Sequence, residues 1–177
     1  MKIITRLLLA GIVLLASCGQ GESDPHHPKD SSKTTEQAPG SAETVPGVEN
    51  LPFSDSIQLK ADANMRFDKE LFRIRAGKKI RLILQNTSAK SNIAMTHNVV
   101  ILKKGTDIAD FAEVAVKARN EEYVPASVSS LIIAHTKSVG GGDSDAIDFT
   151  IPEPGVYDFI CSFPGHWGTM QGKIVAE

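Results

Sequence analysis

The sequence predicts an all-β domain, a Greek-key β-sandwich of about eight strands with one inserted α-helix. Three observations predict it. Short apolar runs alternate residue by residue with polar ones and are bounded by turn formers, the pattern of half-buried strands. A single segment switches to a helical period. About 125 residues carry these signals, a length that suits a two-sheet sandwich.

Taken in order, Ser56–Lys60 alternates polar and apolar residues and reads as the first strand. Phe72 and Ile74, then Ile80, Leu82 and Leu84, repeat at period two on either side of an Ala76-Gly77-Lys78 turn. His97–Leu102 is a mostly apolar strand. Thr106 is placed to cap a helix over roughly 107–119, because Ile108, Phe111, Ala112 and Ala115 fall at i, i+3, i+4 and i+7. That helix is expected to pack on a sheet edge. Gly140–Gly142 with Asp143 and Asp145 lacks the spacing and terminal Glu of an EF-hand and reads as a hairpin turn. Ile147, Phe149 and Ile151 resume the alternation, followed by Tyr157, Phe159 and Cys161, whose common face buries the sulfur. Lys173–Ala176 closes the chain as a last strand.

Ahead of this domain the chain divides twice. Lys2 and Arg6 flank an apolar run, Leu7–Leu15, that ends in Ala16-Ser17-Cys18: the layout of a secretory signal, too short to span a membrane comfortably. Leu15-Ala16-Ser17-Cys18 resembles the lipobox of bacterial lipoproteins. That resemblance implies cleavage after residue 17 and lipidation of Cys18, which anchors a chain to a membrane without crossing it. From Cys18 to Val48 the residues are Ser, Thr, Pro, Gly, Glu and Lys with almost nothing large and apolar, so this stretch reads as a flexible tether. A coil of that length spans about 30 Å. His26 and His27 lie in it and read as solvated linker residues. The division is therefore 1–17 signal peptide, 18–48 lipid-anchored linker and 49–177 folded domain. Net charge is −2 over 177 residues with no basic run, which excludes nucleic acid as a partner.

The chemistry concentrates in Cys161-Ser-Phe-Pro-Gly-His166-Trp-Gly-Thr-Met170. One short loop offers a thiolate, an imidazole and a thioether. That mixture suits an ion cycling between Cu(I) and Cu(II), and two imidazoles, a thiolate and a weak axial Met are the ligands of blue-copper electron-transfer sites. The missing imidazole is available from His97, in Thr96-His97-Asn98. Cys18 and Cys161 are the two cysteines, and a disulfide between them would consume the proposed ligand.

Cys161–Met170, Met95-Thr-His97-Asn98 and Ile132-Ile-Ala-His-Thr-Lys137 together resemble the azurins of the cupredoxin family, a likeness running from about Ile57 to Val175. The resemblance implies a two-sheet cupredoxin barrel carrying one copper ion for one-electron transfer. It implies His97, Cys161 and His166 as the equatorial ligands and Met170 as the axial one. It makes Asn98 the residue whose hydrogen bonds tie the two ligand loops, including a backbone donor to the sulfur. His97, at a strand start, is expected to be buried, and His166, in the loop beside Pro164, Gly165 and Trp167, to reach the surface as the electron's exit. Met95, Phe163, Pro164 and Trp167 are then candidates for an apolar docking patch around it; the alternative is that Phe163 belongs to the core and Trp167 covers the end of the sandwich. His135 matches a surface histidine and is not a ligand. There are two departures. Thr96 stands where azurins have a Gly whose carbonyl gives a weak axial contact, and the azurin disulfide has no cysteines to form it.

The expected function is one-electron shuttling at the bacterial cell envelope between redox proteins such as cytochromes or copper/haem oxidoreductases. The protein is expected to be a monomeric, membrane-anchored lipoprotein facing the periplasm or exterior. The rival reading is a copper chaperone or resistance lipoprotein, although such proteins favour open, Met- or Cys-rich sites and only four Met occur. An enzyme is not expected, because no G-x-S-x-G or H-E-x-x-H motif and no second Cys for a dinuclear copper site is present.

Overall fold

A computed structural model describes residues 44–90 and 93–177. The signal peptide, Cys18, His26, His27 and all but the last residues of the tether lie outside them. The described chain opens with a turn and a short 3-10 helix, Val48–Asn50.

Eight strands follow as expected: β1 Ser56–Ala61, β2 Leu71–Ile74, β3 Lys79–Asn86, β4 Val100–Leu102, β5 Ile132–His135, β6 Ser144–Thr150, β7 Gly155–Ile160 and β8 Gln171–Ala176. They form a three-stranded sheet, β1-β3-β6, and a five-stranded sheet, β2-β8-β7-β4-β5. The pairs β1/β3 and β2/β8 are parallel and the others antiparallel.

Period-two alternation dictates how the sheets meet. Ile57, Leu59 and Ala61 of β1 face inward with Ile80, Leu82 and Leu84 of β3. They pack against Ile74, Tyr157, Phe159 and Ile174 of the other sheet in one core. Each fully buried Leu, Ile or Phe removes enough apolar surface from water to stabilise the fold by about 1.5–3 kcal/mol. Phe159 sits between Phe67 and Phe72, with ring centroids 5.6 and 5.8 Å away. Gly172 faces it across β7/β8, where a Cβ would overlap the Phe159 ring.

Four local expectations are corrected. The helix, α1, runs only from Ile108 to Ala115, capped by Asp107, whose Oδ1 accepts from the Asp110 N–H at 3.0 Å. Thr106 is not the cap because its hydroxyl donates to the Lys103 carbonyl. Three-residue-spaced bonds from Lys117 and Ala118 tighten the last turn and end the helix. Second, α1 does not cover a sheet edge. Phe111 and Ala115 pack with Val100, Leu102 and Ile160, on the outer side of the five-stranded sheet.

Third, Gly140–Gly142 is not a hairpin turn, since β5 and β6 belong to different sheets and the loop carries the chain between them. Gly142 takes a left-handed φ of 80°, which favours glycine, and its N–H donates to the Asn86 carbonyl. Fourth, the strand expected from His97 begins only at Val100. His97 instead makes an isolated two-way bridge with Val139, and Val99 pairs with Thr136, so this segment is held by irregular contacts.

Candidate metal centre

The site lies where the β7–β8 loop meets the irregular segment before β4. Cys161 follows β7 directly and keeps facing the core after Tyr157 and Phe159, as the alternation predicts. The loop then closes on itself. His166 N–H donates to the Phe163 carbonyl, Met170 N–H to His166, and Cys161 N–H to Met170, at 3.0, 2.9 and 2.9 Å. Gly165 permits the tight curvature with φ 83°.

These constraints bring three side chains together. The donor atoms of His97, Cys161 and His166 all lie within 4.8 Å of one another. His97 Nδ1 is 3.2 Å from His166 Nδ1, and that atom is 3.6 Å from the Cys161 sulfur. Exposure is 0% for His97 and Cys161 and 3% for His166, so the pocket is dry. Met170 is buried in the same core as Cys161.

The rings are oriented from outside. His97 Nε2 is 3.0 Å from the Asp62 carbonyl. A carbonyl only accepts, so Nε2 carries the proton and Nδ1 presents its lone pair to the pocket. The His166 ring likewise donates to the Ala94 carbonyl. With its Nδ1 turned toward Cys161 and His97, Nε2 is the atom left to donate. Two lone pairs then face each other across 3.2 Å in a water-poor pocket beside a thiol. That arrangement is repulsive until a cation sits among them, and its donors are those copper takes.

The electrostatics agree. Burial pushes the Cys161 thiol up to about 11, opposed by the backbone N–H groups of Asn98 and Phe163. Burial, then neighbouring His97, lowers His166 to about 4. Burial lowers His97 too, against the opposing effect of the Asp62 carbonyl and charge. Both imidazoles are thus neutral near pH 7 and able to coordinate, whereas the thiol must shed a proton.

Asn98 bridges the two segments through Ser162. Its Oδ1 accepts from the Ser162 N–H and its Nδ2 donates to Ser162 Oγ, both at 2.9 Å, tying the His97 segment to the Cys161 loop. Ser162 Oγ donates on to the Tyr123 carbonyl at 2.7 Å. Glu122 and Tyr123 both hold positive φ, 55° and 61°, a conformation costing non-glycine residues roughly 1–2 kcal/mol each. These hydrogen bonds stabilise that turn, which sets the Tyr123 ring edge-on to Phe163 at 5.0 Å.

One placement is corrected: His166 does not reach the surface. His97 flanks its ring on one side, Phe163 packs on it at 4.8 Å, and the Ala94 carbonyl occupies a ring N–H. Met95, Phe163 and Pro164 are half-exposed nearby. Trp167 instead packs with the outer cluster beneath α1, and with Pro164 lines a shallow groove of about 220 Å³ against Ala109, Ala112 and Val116. His135 ends β5, exposed and away from the donors.

Sequence reasoning missed Asp62, Ser162 and Asn86. Asp62 and Ser162 act through backbone or hydroxyl atoms that any loop residue carries. Asn86 left a signal, a polar residue in the inward slot after Ile80, Leu82 and Leu84.

Comparison with known proteins gives a consistent picture. A family model described as copper binding proteins of the plastocyanin/azurin family matches residues 55–177. An azurin of Alcaligenes faecalis is 34% identical over 122 residues, covering 67% of this chain and 94% of that protein. Auracyanin-A of Chloroflexus aurantiacus is 30% identical along the full length of both chains. Among solved structures, reduced auracyanin from Roseiflexus castenholzii superimposes with a TM-score of 0.65 at 35% identity, covering 71% of this chain and 99% of that one.

Proposed function

The chain belongs to the plastocyanin/azurin family of copper-binding proteins, and from that premise we propose that it carries single electrons between redox proteins at a bacterial cell envelope. One copper ion is its cofactor. We assign His97 Nδ1, His166 Nδ1 and the Cys161 sulfur as the ligands, with Met170 the weaker fourth. The observation that carries the assignment is the convergence of two proton-free Nδ1 atoms and a thiol in a buried pocket.

When bound, copper supplies a one-electron Cu(II)/Cu(I) couple. The chain's own residues do the rest. The Asp62 and Ala94 carbonyls fix both rings in the tautomer that points Nδ1 inward. Asn98 and Ser162 hold the two loops in one register, and the N–H groups of Asn98 and Phe163 stabilise negative charge on the sulfur. The surrounding core keeps water out. A pocket so fixed before the electron arrives has little to rearrange afterwards.

The face over His166 is the docking surface in this reading. Ala94 is exposed there and Met95, Phe163 and Pro164 are half-exposed, an apolar patch suited to cytochromes or copper/haem oxidoreductases. The N-terminal signal and the lipobox-like Cys18 support a membrane-anchored lipoprotein, which in this reading is a monomeric carrier rather than an enzyme. Among the described residues no helix is long and apolar enough to cross a membrane.

The test is copper addition to the purified protein, followed by visible and EPR spectra and voltammetry. An intense visible band and a reversible one-electron wave without loss of metal are expected. A copper-treated protein that stays colourless overturns the ligand set. Loss of metal to an acceptor on reduction would favour copper delivery instead.

A further inference from the structure

We propose that Asn86 is a positioning residue for the metal centre, its side-chain amide clamping the two backbone segments that fix His97. This rests on His97 being a copper ligand. Asn86 ends β3 on the inward face, fully buried, in a slot that the strand's alternation reserves for an apolar residue. An amide there costs desolvation unless its hydrogen bonds are made. They are. Nδ2 donates to the Met95 carbonyl at 2.6 Å and to the Val139 carbonyl at 2.9 Å, and Oδ1 accepts from the Ser88 N–H at 2.9 Å.

The two carbonyls explain the choice of residue. Met95 stands two positions before His97, next to Ala94, whose carbonyl takes the His166 ring proton. Val139 is the bridge partner of His97: its carbonyl accepts from the His97 N–H at 3.0 Å, and its N–H donates to the His97 carbonyl at 2.8 Å. The Val139 oxygen therefore receives both the His97 backbone and the Asn86 amide. His97 lies outside any regular strand, so no ladder of sheet bonds holds it. A single planar amide, fixed on a core strand, supplies the rigidity instead. Its own backbone is locked to the Gly140–Gly142 loop by bonds to Asp143 and Gly142, both 2.9 Å. Asn86 reaches no donor atom of the site; it acts through His97.

Copper binding of the full chain tests this with two variants, Asn86→Leu, which removes all three side-chain bonds, and Asn86→Asp, which keeps the shape but loses the amide donors. Copper affinity, read by competition with a chelator, should fall by about 10–100-fold, the usual effect of losing a partner that orients a ligand. The visible band, EPR spectrum and reduction potential should move with it. In a His97→Gly background the same substitutions should cost far less copper affinity, because the ring they chiefly orient is gone and only the link through Met95 and Ala94 to His166 is left.

A residue that only supports the fold would lower the melting temperature of copper-free and copper-loaded protein alike, with affinity and spectra unmoved; that result overturns the proposal. Equal affinity losses with and without His97 overturn it as well. If neither variant folds, the unaltered chain decides. Copper loading should slow hydrogen exchange at the Asn86 amide together with the His97 and Val139 N–H groups, and slowing at the latter two alone counts against it. A wild-type chain that takes no copper removes the premise and this proposal with it, whereas copper-binding wild type with indistinguishable variants removes only the role of Asn86.

Discussion

The two halves of the metal centre are held in opposite ways. Cys161, His166 and Met170 sit in a loop that closes on itself within ten residues and is clamped at its base by the Ile160/Gln171 pair of the β7–β8 hairpin. His97 has no such local frame. Its ring is held by Asp62, 35 positions upstream, its backbone by Val139, and the Val139 carbonyl by Asn86, 53 positions from it. One half is thus built by its own stretch of chain and the other by the completed fold. Changes inside the loop should therefore remove donors while leaving the shape intact, whereas changes far from the pocket should act through His97.

The largest expected effect comes from Cys161→Ser. The loop's closing bonds are backbone bonds, so they survive the substitution. The copper-free variant should fold, with a loss of about 1–3 kcal/mol for a hydroxyl buried without an assured partner. The intense visible band should vanish altogether, because it depends on the thiolate. Denaturant unfolding of the metal-free protein and the visible spectrum after copper addition check both halves of the statement. A variant that unfolds outright would mean that the loop is not self-supporting.

The same division explains what was legible in the sequence. The approach of Cys161 to His166 was readable because spacing within one loop is a local property. The strands were readable because Ile57/Leu59 and Ile80/Leu82/Leu84 alternate strictly. The supports of His97 were not, because Asp62 contributes a carbonyl, which every residue has, and Val139 is an ordinary apolar residue. Burial of His166 was missed for a related reason: its cover comes from the Ala94 backbone and the Phe163 ring, whose placement depends on the packed fold. The start of α1 turned on whether Thr106 or Asp107 capped the first turn, a choice decided by the bond from the Thr106 hydroxyl to the Lys103 carbonyl.

Acid should separate the metal-free protein from the copper-loaded one. Both histidines are lowered in the folded state, so the unfolded chain binds more protons below its ordinary histidine pKa. Stability is complete above pH 6.5 and is lost as pH falls toward 4. For His166, lowered to about 4, the loss by pH 4 is on the order of 3 kcal/mol. Copper-loaded protein should resist this fall until protons displace the metal. Near pH 7 copper uptake should release a proton from Cys161, whose thiol lies at about 11, and none from the neutral imidazoles. Calorimetry in buffers of different ionisation enthalpy would count that proton, and urea melts between pH 4 and 8 would trace the stability loss. A flat profile would mean that the rings are not held proton-poor.

The smallest effect isolates a side-chain hydrogen bond by which the Cys161–Met170 loop leans on the Asp62–Phe67 turn. Thr169 Oγ1 donates to the Met65 carbonyl at 2.9 Å in an exposed setting, and Met65 itself holds a left-handed φ of 56°. Thr169→Val removes that bond while water remains available to the freed carbonyl, so the cost should be about 0.5–1 kcal/mol. The visible band should be unaltered, since the closing bonds of the loop do not involve the hydroxyl. The Met65 turn also carries the Asp62 carbonyl that fixes His97, which makes this contact a direct link between the two halves. If Thr169→Val shifted the copper spectrum, the loop would owe its shape to the same distant supports as His97, and the distinction between the halves would fail.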